Sequence, residues 1–419
     1  MIRLRFLAVV SLLVLGAPAR AADQPPATTT TTTTTTPRAH DEGAYAAPAI
    51  AIPVRVYGTI KPTLIVSNGL ESFGFQTLGA TTAASNPVFD ADAPRLSFQI
   101  MQSRFGIKAG EGTPVVGILE LDFLHLEQSS PVQQAFPRLR LAFIEWTPAP
   151  GHKLLVGQAW DIFSPLAPHT FNVVPAMFQS GNSGFLRHQI AWFETFGNVE
   201  TAVAVGLVAP NASPNLSFVE LGLTPSVAVR AAWKPRKGDQ VGVAAIASSL
   251  ELGPDARRPA AGGSVFADLT FASAGKLNFR LETYGGANLA NLGALTLGHG
   301  HVDADVYELG GFVSANLPLP EGFAVFATLA AATVLNPDDL QLGYQSAHDD
   351  VAAVRTAATG PGLVSNSTAR CGGSFSPLKG FSLLVEPFVF SSKHKLDVAS
   401  GLDPLRLGWG VEAGALYSF

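Results

Sequence analysis

The chain has one cysteine, Cys371, in 419 residues, so an intrachain disulfide is excluded and the residue reads as a small side chain in a strand. It also lacks any apolar run approaching the roughly 20 residues of a transmembrane helix. The nearest stretch, Gly322 to Leu335, lies between Pro318-Leu319-Pro320 and Asn336-Pro337 and has the length of one strand with its flanks. Basic residues are not in excess: 27 Lys and Arg stand against 32 Asp and Glu, a formal charge of -5 that offers no footprint for nucleic acid. Yet 47% of residues are hydrophobic and the mean hydropathy is +0.26. Apolarity without apolar blocks is carried in short alternating runs, as in a barrel where every second residue meets lipid.

Residues 1–21 have Arg3 and Arg5, an apolar run from Phe6 to Leu15 and Pro18-Ala19-Arg20-Ala21, the pattern of a cleaved export signal. Its removal takes away three arginines and moves the formal charge from -5 to -8. Residues 22–52 contain the unbroken run Thr28 to Thr36 between prolines, with no apolar face to bury, and read as a disordered periplasmic segment.

From residue 53 to 419 the sequence reads as an all-β domain, a transmembrane antiparallel β-barrel of about sixteen strands. The segments run from Val54–Val66 to Leu405–Phe419 and include Arg138–Thr147, Gln240–Leu250 and Val265–Ala272. Connectors alternate in length. Gly110-Glu111-Gly112, Pro148 to Gly151 and Pro377 to Gly380 are tight Gly/Pro turns, whereas Ser67–Arg95, Asp161–Phe185, Glu251–Ser264 and Leu335–Val364 are long. That parity predicts short periplasmic turns and long extracellular loops, and an even strand count returns the C-terminus to the periplasm. The final octapeptide, with Gly414, Tyr417 and the terminal Phe419, resembles the signal by which Gram-negative bacteria pass barrel proteins to their insertion machinery. The expected location is the cell outer membrane.

A charged side chain facing lipid at mid-membrane costs about 2 to 4 kcal/mol, so charges within strands should line the pore. The basic set is Arg104, Lys108, Arg138, Arg140, Arg187, Arg230, Arg280 and Arg406, with Arg55, Lys61, Lys153 and Arg370. The acidic set is smaller: Glu120, Asp122, Glu282 and Glu412, with Glu200, Asp268, Glu308 and Glu386. A wall leaning positive favours anions; Arg and Glu pairing across the lumen would cancel that preference. No cofactor or metal is called for by the main reading. His299, His301, Asp303 and Asp305 alternate as metal ligands could, but in a predicted extracellular loop where solvated polar residues are the ordinary occupants.

Asp161–Phe185 follows the fifth strand, the position of the inward-folded loop of trimeric porins. Here the constriction candidates are Asp161, Phe163, His169, Phe171 and Phe178, a mainly apolar and aromatic set. They either shape a passage for organic solutes or pack the loop against the wall. Ser103-Arg104-Phe105-Gly106 resembles a general porin motif, and Arg138-Leu139-Arg140-Leu141-Ala142-Phe143, Val156-Gly157-Gln158-Ala159-Trp160 and Arg187-His188-Gln189 together resemble the DcaP-like trimeric outer-membrane porins. The resemblance covers about Leu96 to Glu194. It implies a homotrimer in the lipid bilayer and passive uptake of small hydrophilic solutes, with a leaning to anionic organic molecules; a threonine tract stands where that family has a coiled coil.

Two other classes compete with a channel. Gly181-Asn182-Ser183-Gly184 resembles a serine-protease nucleophile region, but no positioned His and Asp accompany it, and the chain reads as no enzyme. An adhesin or structural barrel would place its function in Ser67–Arg95 and Leu335–Val364.

Overall fold

The computed structural model describes residues 52–68, 94–127, 134–172, 180–184, 186–207, 225–253, 256–289, 305–340, 363–395 and 405–419. The strands are β1 (Val54–Ile60), β2 (Thr63–Ser67), β3 (Arg95–Gln99), β4 (Arg104–Ala109), β5 (Val115–Glu127), β6 (Gln134–Ala149), β7 (His152–Trp160), β8 (Leu186–Phe196) and β9 (Val199–Gly206). They continue with β10 (Ser226–Trp233), β11 (Gln240–Gly253), β12 (Ala256–Phe271), β13 (Leu277–Ala287), β14 (Tyr307–Pro318), β15 (Phe323–Val334), β16 (Leu363–Leu378), β17 (Phe381–His394) and β18 (Leu405–Ser418).

β1 pairs with β4 and β2 with β3, each later strand from β4 on pairs antiparallel with the next, and β18 returns to β1 and β2, closing the sheet. β1 with β2, and β3 with β4, are each one barrel strand interrupted in the middle, so eighteen segments make sixteen staves. The cause of the first interruption is Pro62, which has no N–H to give the ladder. Its carbonyl still accepts the Ala415 N–H at 3.1 Å. The second stave breaks at the same level, in a turn where the Ser103 N–H donates to the Ile100 carbonyl at 3.0 Å. The two breaks are joined, because the Lys61 N–H donates to Ser103 Oγ at 3.0 Å. Closure is completed by the last residue: Phe419 and Gly58 exchange both backbone hydrogen bonds at 3.1 Å.

Period-two alternation sorts the faces. On β15, Phe323, Val325 and Leu329 are exposed, whereas Phe326, Thr328 and Ala330 are buried. On β18, Leu405, Leu407, Trp409, Val411 and Tyr417 point outward and Glu412 is buried inside. A water-soluble protein would not present this continuous apolar exterior; lipid requires it, and closure leaves no unpaired edge in the bilayer. Short turns join one rim. In the turn between β16 and β17, Gly380 has φ of 80°, and a Cβ there would lie 2.6 Å from the Ser418 carbonyl, so only glycine fits.

Besides the two interruptions, several boundaries differ from the sequence reading, three of them by the most. The long connector expected over Glu251–Ser264 is strand on both sides, with Gly253 paired to Ala256. Ala260, Ala261, Gly262 and Gly263 carry no alternating apolar signal, yet their smallness serves the wall: the fully buried Leu289 packs where a Cβ on Gly262 would be 3.1 Å away. β6 starts at Gln134 and passes through Pro137, which a register shift opposite Asp122 and His125 accommodates. β16 begins at Leu363 and ends at Leu378, longer than the expected Ser365–Phe375. Residues 1–51, carrying the export signal and threonine run, lie outside the described residues.

Candidate functional site

The segment from Asp161 to Asn172 enters the lumen and is laid along the inner wall. Asp161 starts it: Oδ1 accepts the N–H groups of Phe163 and Ser164 at 3.2 Å, and Oδ2 accepts Arg187 Nε at 3.0 Å. A main chain placed inside a barrel must find partners for its polar groups. Wall side chains provide them in sequence around the barrel. Ser264 donates to the Phe163 carbonyl at 2.6 Å, Glu282 accepts the Leu166 N–H at 3.0 Å, and Arg280 donates to the Ala167 carbonyl at 3.0 Å. Ser314 accepts the His169 N–H at 2.9 Å and Thr328 donates to the His169 carbonyl at 2.7 Å. Glu386 accepts the Phe171 N–H at 2.5 Å, and Lys61 Nζ donates to the Phe171 carbonyl. The loop is therefore held by its backbone from β12 to β17 and then by the first stave.

Its side chains turn to the wall as well. Phe163 is fully buried with Ile162, Leu155 and Tyr284, and Phe171 meets Phe326 edge to face at 4.9 Å. His169 Nε2 lies 2.7 Å from Asn278 Oδ1. Phe163 is thus packed away, while His169 and Phe171 touch the wall and remain half-buried. Phe178 lies outside the described residues. On the returning limb, Ser180 accepts from Asn366 at 2.5 Å, and Gly181 approaches β14 so closely that a Cβ would strike the Gly311 carbonyl. Ser183 is buried there with no acid–base pair described beside it.

The basic wall residues are mostly matched with carboxylates. Arg138 forms a two-point bridge to Asp122 at 2.8 and 3.0 Å, and Arg140 pairs with Glu120, which also accepts the Tyr57 hydroxyl at 3.1 Å. Arg230 and Lys234 share Glu200, the latter at 2.6 Å. Arg280 meets Asp268 at 3.1 Å, Arg370 meets Glu386, and Lys61 meets Glu412 at 3.2 Å. Lys108 and Arg55 both reach Glu111 at the turn rim, at 3.0 and 3.1 Å, and the Lys108 hydrogen bond, with Arg55 beside it, holds the Glu111 carboxyl below the usual range. Among the described residues, Arg104 alone of the named arginines makes no ion pair or hydrogen bond; the side chain of Arg406 lies outside them.

Sequence reasoning did not anticipate Gln102, Ser264, Ser314 or Thr328, which are polar inward residues distinguished only by the loop that reaches them. The Pro62 break was the one local signal for Gln102, since an interrupted ladder turns side chains inward. At the C-terminus, Tyr417 and Phe419 face outward with rings 6.3 Å apart, and Gly414 fits where a Cβ would lie 2.5 Å from the Pro62 carbonyl. His299, His301 and Asp303 lie outside the described residues; among the described ones no cluster of three or more metal-ligating acids, His or Cys occurs. Asp305 is instead bridged by Asn288 at 2.9 Å and Arg258 at 3.1 Å.

This is a transmembrane β-barrel with a loop folded into its lumen. No protein-family model matches the sequence, and no curated protein matches it. Solved structures are similar in fold: the anion-selective porin from Comamonas acidovorans has a TM-score of 0.53 at 11% identity, over 88% of this chain and 100% of that one. OmpT, an outer membrane protein of Vibrio cholerae, gives 0.51 at 10% identity over 90% and 100%, and Salmonella typhi OmpF in complex with daunomycin gives 0.51 at 12% over 87% and 97%. At such identities the likeness is one of architecture: the chain has a porin-like sixteen-stranded barrel.

Proposed function

We propose that the protein is an outer-membrane porin, a non-enzymatic channel through which small hydrophilic solutes diffuse passively, with a preference for anionic organic molecules. The observation that carries this reading is the loop Asp161–Asn172, which is fixed to the inner wall of a closed barrel by side chains of five strands and of the β1–β2 junction. A loop so held narrows a passage along one side, and the fold likeness to the Comamonas anion-selective porin supports the same role. The anion preference rests on Arg104, the described wall arginine with no ion pair, at a level where Arg138, Arg140, Lys61 and Arg370 are matched with Asp122, Glu120, Glu412 and Glu386. Rings or points of fixed charge at a constriction set which ions pass.

The motifs around Arg104, Arg138–Phe143 and Arg187–Gln189 favour the DcaP-like group and, with it, a homotrimer. Export by residues 1–21, a periplasmic segment over 22–52 and delivery to the barrel-insertion machinery through the Phe419 terminus belong to the same proposal, as does a C-terminus on the periplasmic side. Reconstitution into planar lipid bilayers tests it. The expected result is stepwise opening in multiples of three with a zero-current potential favouring chloride in a potassium chloride gradient. A barrel that inserts but never conducts would point to an adhesin or enzyme.

A further inference from the structure

Beside the loop tip, at the level where the first two staves break, the inner wall encloses a cavity of about 300 Å³. Its lining includes Thr59, Lys61, Arg104, Phe171, Leu384 and Leu416. That volume is at the lower end of small-molecule sites. Two cations border it, and they are not equivalent. The Lys61 ammonium has three N–H donors, and three acceptors take them: Gln102 Oε1 at 2.6 Å, Glu412 Oε1 at 3.2 Å and the Phe171 carbonyl. Lys61 is thus a strut between the first stave, the last strand and the loop, with nothing left to offer a solute.

Arg104 is the opposite case. It pairs by backbone with Thr59 on one side and Asp122 on the other and projects inward from β4; its Nε has no hydrogen-bond partner, and the neighbouring carboxylates Asp122 and Glu120 are bridged to Arg138 and Arg140 instead. The charges around it cancel without it: Arg138 with Asp122, Arg140 with Glu120, Lys61 with Glu412, Arg370 with Glu386. One arginine without an ion pair therefore faces a cavity that has Phe171, Leu384 and Leu416 as its apolar wall and Thr59, Gln102, Thr170, Ser374 and Ser382 as its neutral polar wall. A guanidinium fork suits the two oxygens of a carboxylate. Phe171, Leu384 and Leu416 suit an apolar body behind that group.

The geometry points to a lumenal subsite for a small monocarboxylate with an apolar or aromatic tail, its carboxylate on Arg104 and its tail between Phe171 and the two leucines. The inference rests on the porin reading for the route by which a solute arrives. It disfavours a dicarboxylate, whose second negative charge would meet no further cation without an ion pair among the described residues; an inorganic anion would use Arg104 and the polar wall but not Phe171, Leu384 and Leu416, so competition with phosphate separates it from a carboxylate with an apolar tail.

Benzoate is the probe. Equilibrium dialysis against the full-length detergent-solubilised protein should show one site per chain, weakened at least tenfold in Arg104→Gln and less in Arg104→Lys, which keeps charge but loses the fork. Arg236→Gln, at the turn rim, should bind as the wild type does. Thermal unfolding of each variant separates a lost contact from a lost fold. In bilayers, benzoate should produce brief current blocks that Arg104→Gln abolishes. No benzoate binding by the wild type, equal binding by a folded Arg104→Gln, or displacement by succinate or phosphate at concentrations below benzoate's own would each overturn the subsite. Conducting channels indifferent to benzoate would overturn the subsite and leave the porin standing; benzoate binding lost in Arg104→Gln without conductance would do the reverse.

Discussion

Glu282, in the middle of β13, accepts the Leu166 N–H at 3.0 Å and also the Ser164 hydroxyl, so a buried wall carboxylate grips the lumenal loop at two points. A hydrogen bond contributes about 0.5 to 1.5 kcal/mol net, and a buried donor left without its acceptor costs about 1 to 3 kcal/mol. Glu282→Leu removes both acceptors and leaves a backbone N–H and a hydroxyl without partners. The loop should then leave the wall part of the time. Single-channel recordings should show added current fluctuation relative to wild type, while Glu282→Gln, which keeps one acceptor, should lie between; recordings of Glu282→Leu as quiet as wild type would count against the latch.

The pair Arg370 and Glu386 is fully buried on adjacent strands, and Glu386 also accepts the Thr170 hydroxyl at 2.7 Å. Breaking a buried pair from one side strands a charge, at a cost of about 3 to 5 kcal/mol. Arg370→Met and Glu386→Leu should each lower the urea midpoint of the barrel in lipid vesicles, and the double variant should recover part of the loss. Strict additivity of the two single effects would show that they do not act as a pair.

Neutral pairing of the wall makes a sharper statement about selectivity. Glu120→Gln with Arg140→Gln removes one cation and its carboxylate together, so the zero-current potential in a salt gradient should stay where it was. Arg140→Gln alone frees Glu120 and should move the potential toward cation preference. A large anion-to-cation shift in the double variant would mean that Arg140 acts as an unpaired rung, contrary to its geometry.

The staves and the lumenal course of the third loop were legible in the sequence because both depend on local signals: period-two alternation, turn residues at one rim, and a connector after the fifth strand matching a known pattern. The partners of the loop were not. Glu282, Glu386, Ser314 and Thr328 are spaced as ordinary inward residues, and only the path of a distant segment makes them anchors. Charge pairs such as Arg280 with Asp268 follow from strand register, which alternation leaves open by two residues at a time. The hairpin around Gly253 and Ala256 was hidden for another reason: small residues show no hydrophobic period, yet form strand when neighbours need the room.

At the loop rim, Asp305 ties together chain segments next to three strands. It accepts Asn288 Nδ2 and Arg258 Nη1, and its backbone carbonyl accepts Asn336 Nδ2 at 2.6 Å. The hydrogen bond from Asn288, and then that from Arg258, holds its carboxyl below the ordinary aspartate range. A folded pKa below the unfolded one gives stabilisation that is present above the unfolded value, about 3.9, and lost as pH falls through the folded value. The carboxyl is partly exposed and screened by solvent, so the effect is local. It should appear in the amides that the same cluster orders: Val306 N–H donates to Asn288 Oδ1 at 3.0 Å, and Asn288 N–H to the Val306 carbonyl at 2.8 Å. Hydrogen exchange at these two amides, corrected for intrinsic pH dependence, should lose protection below about pH 4 in the wild type. In Asp305→Asn protection should be lower at neutral pH and indifferent to acid, because the titrating group is gone; protection in wild type that persists unchanged to pH 2 would show that Arg258 and Asn288 do not depend on its charge.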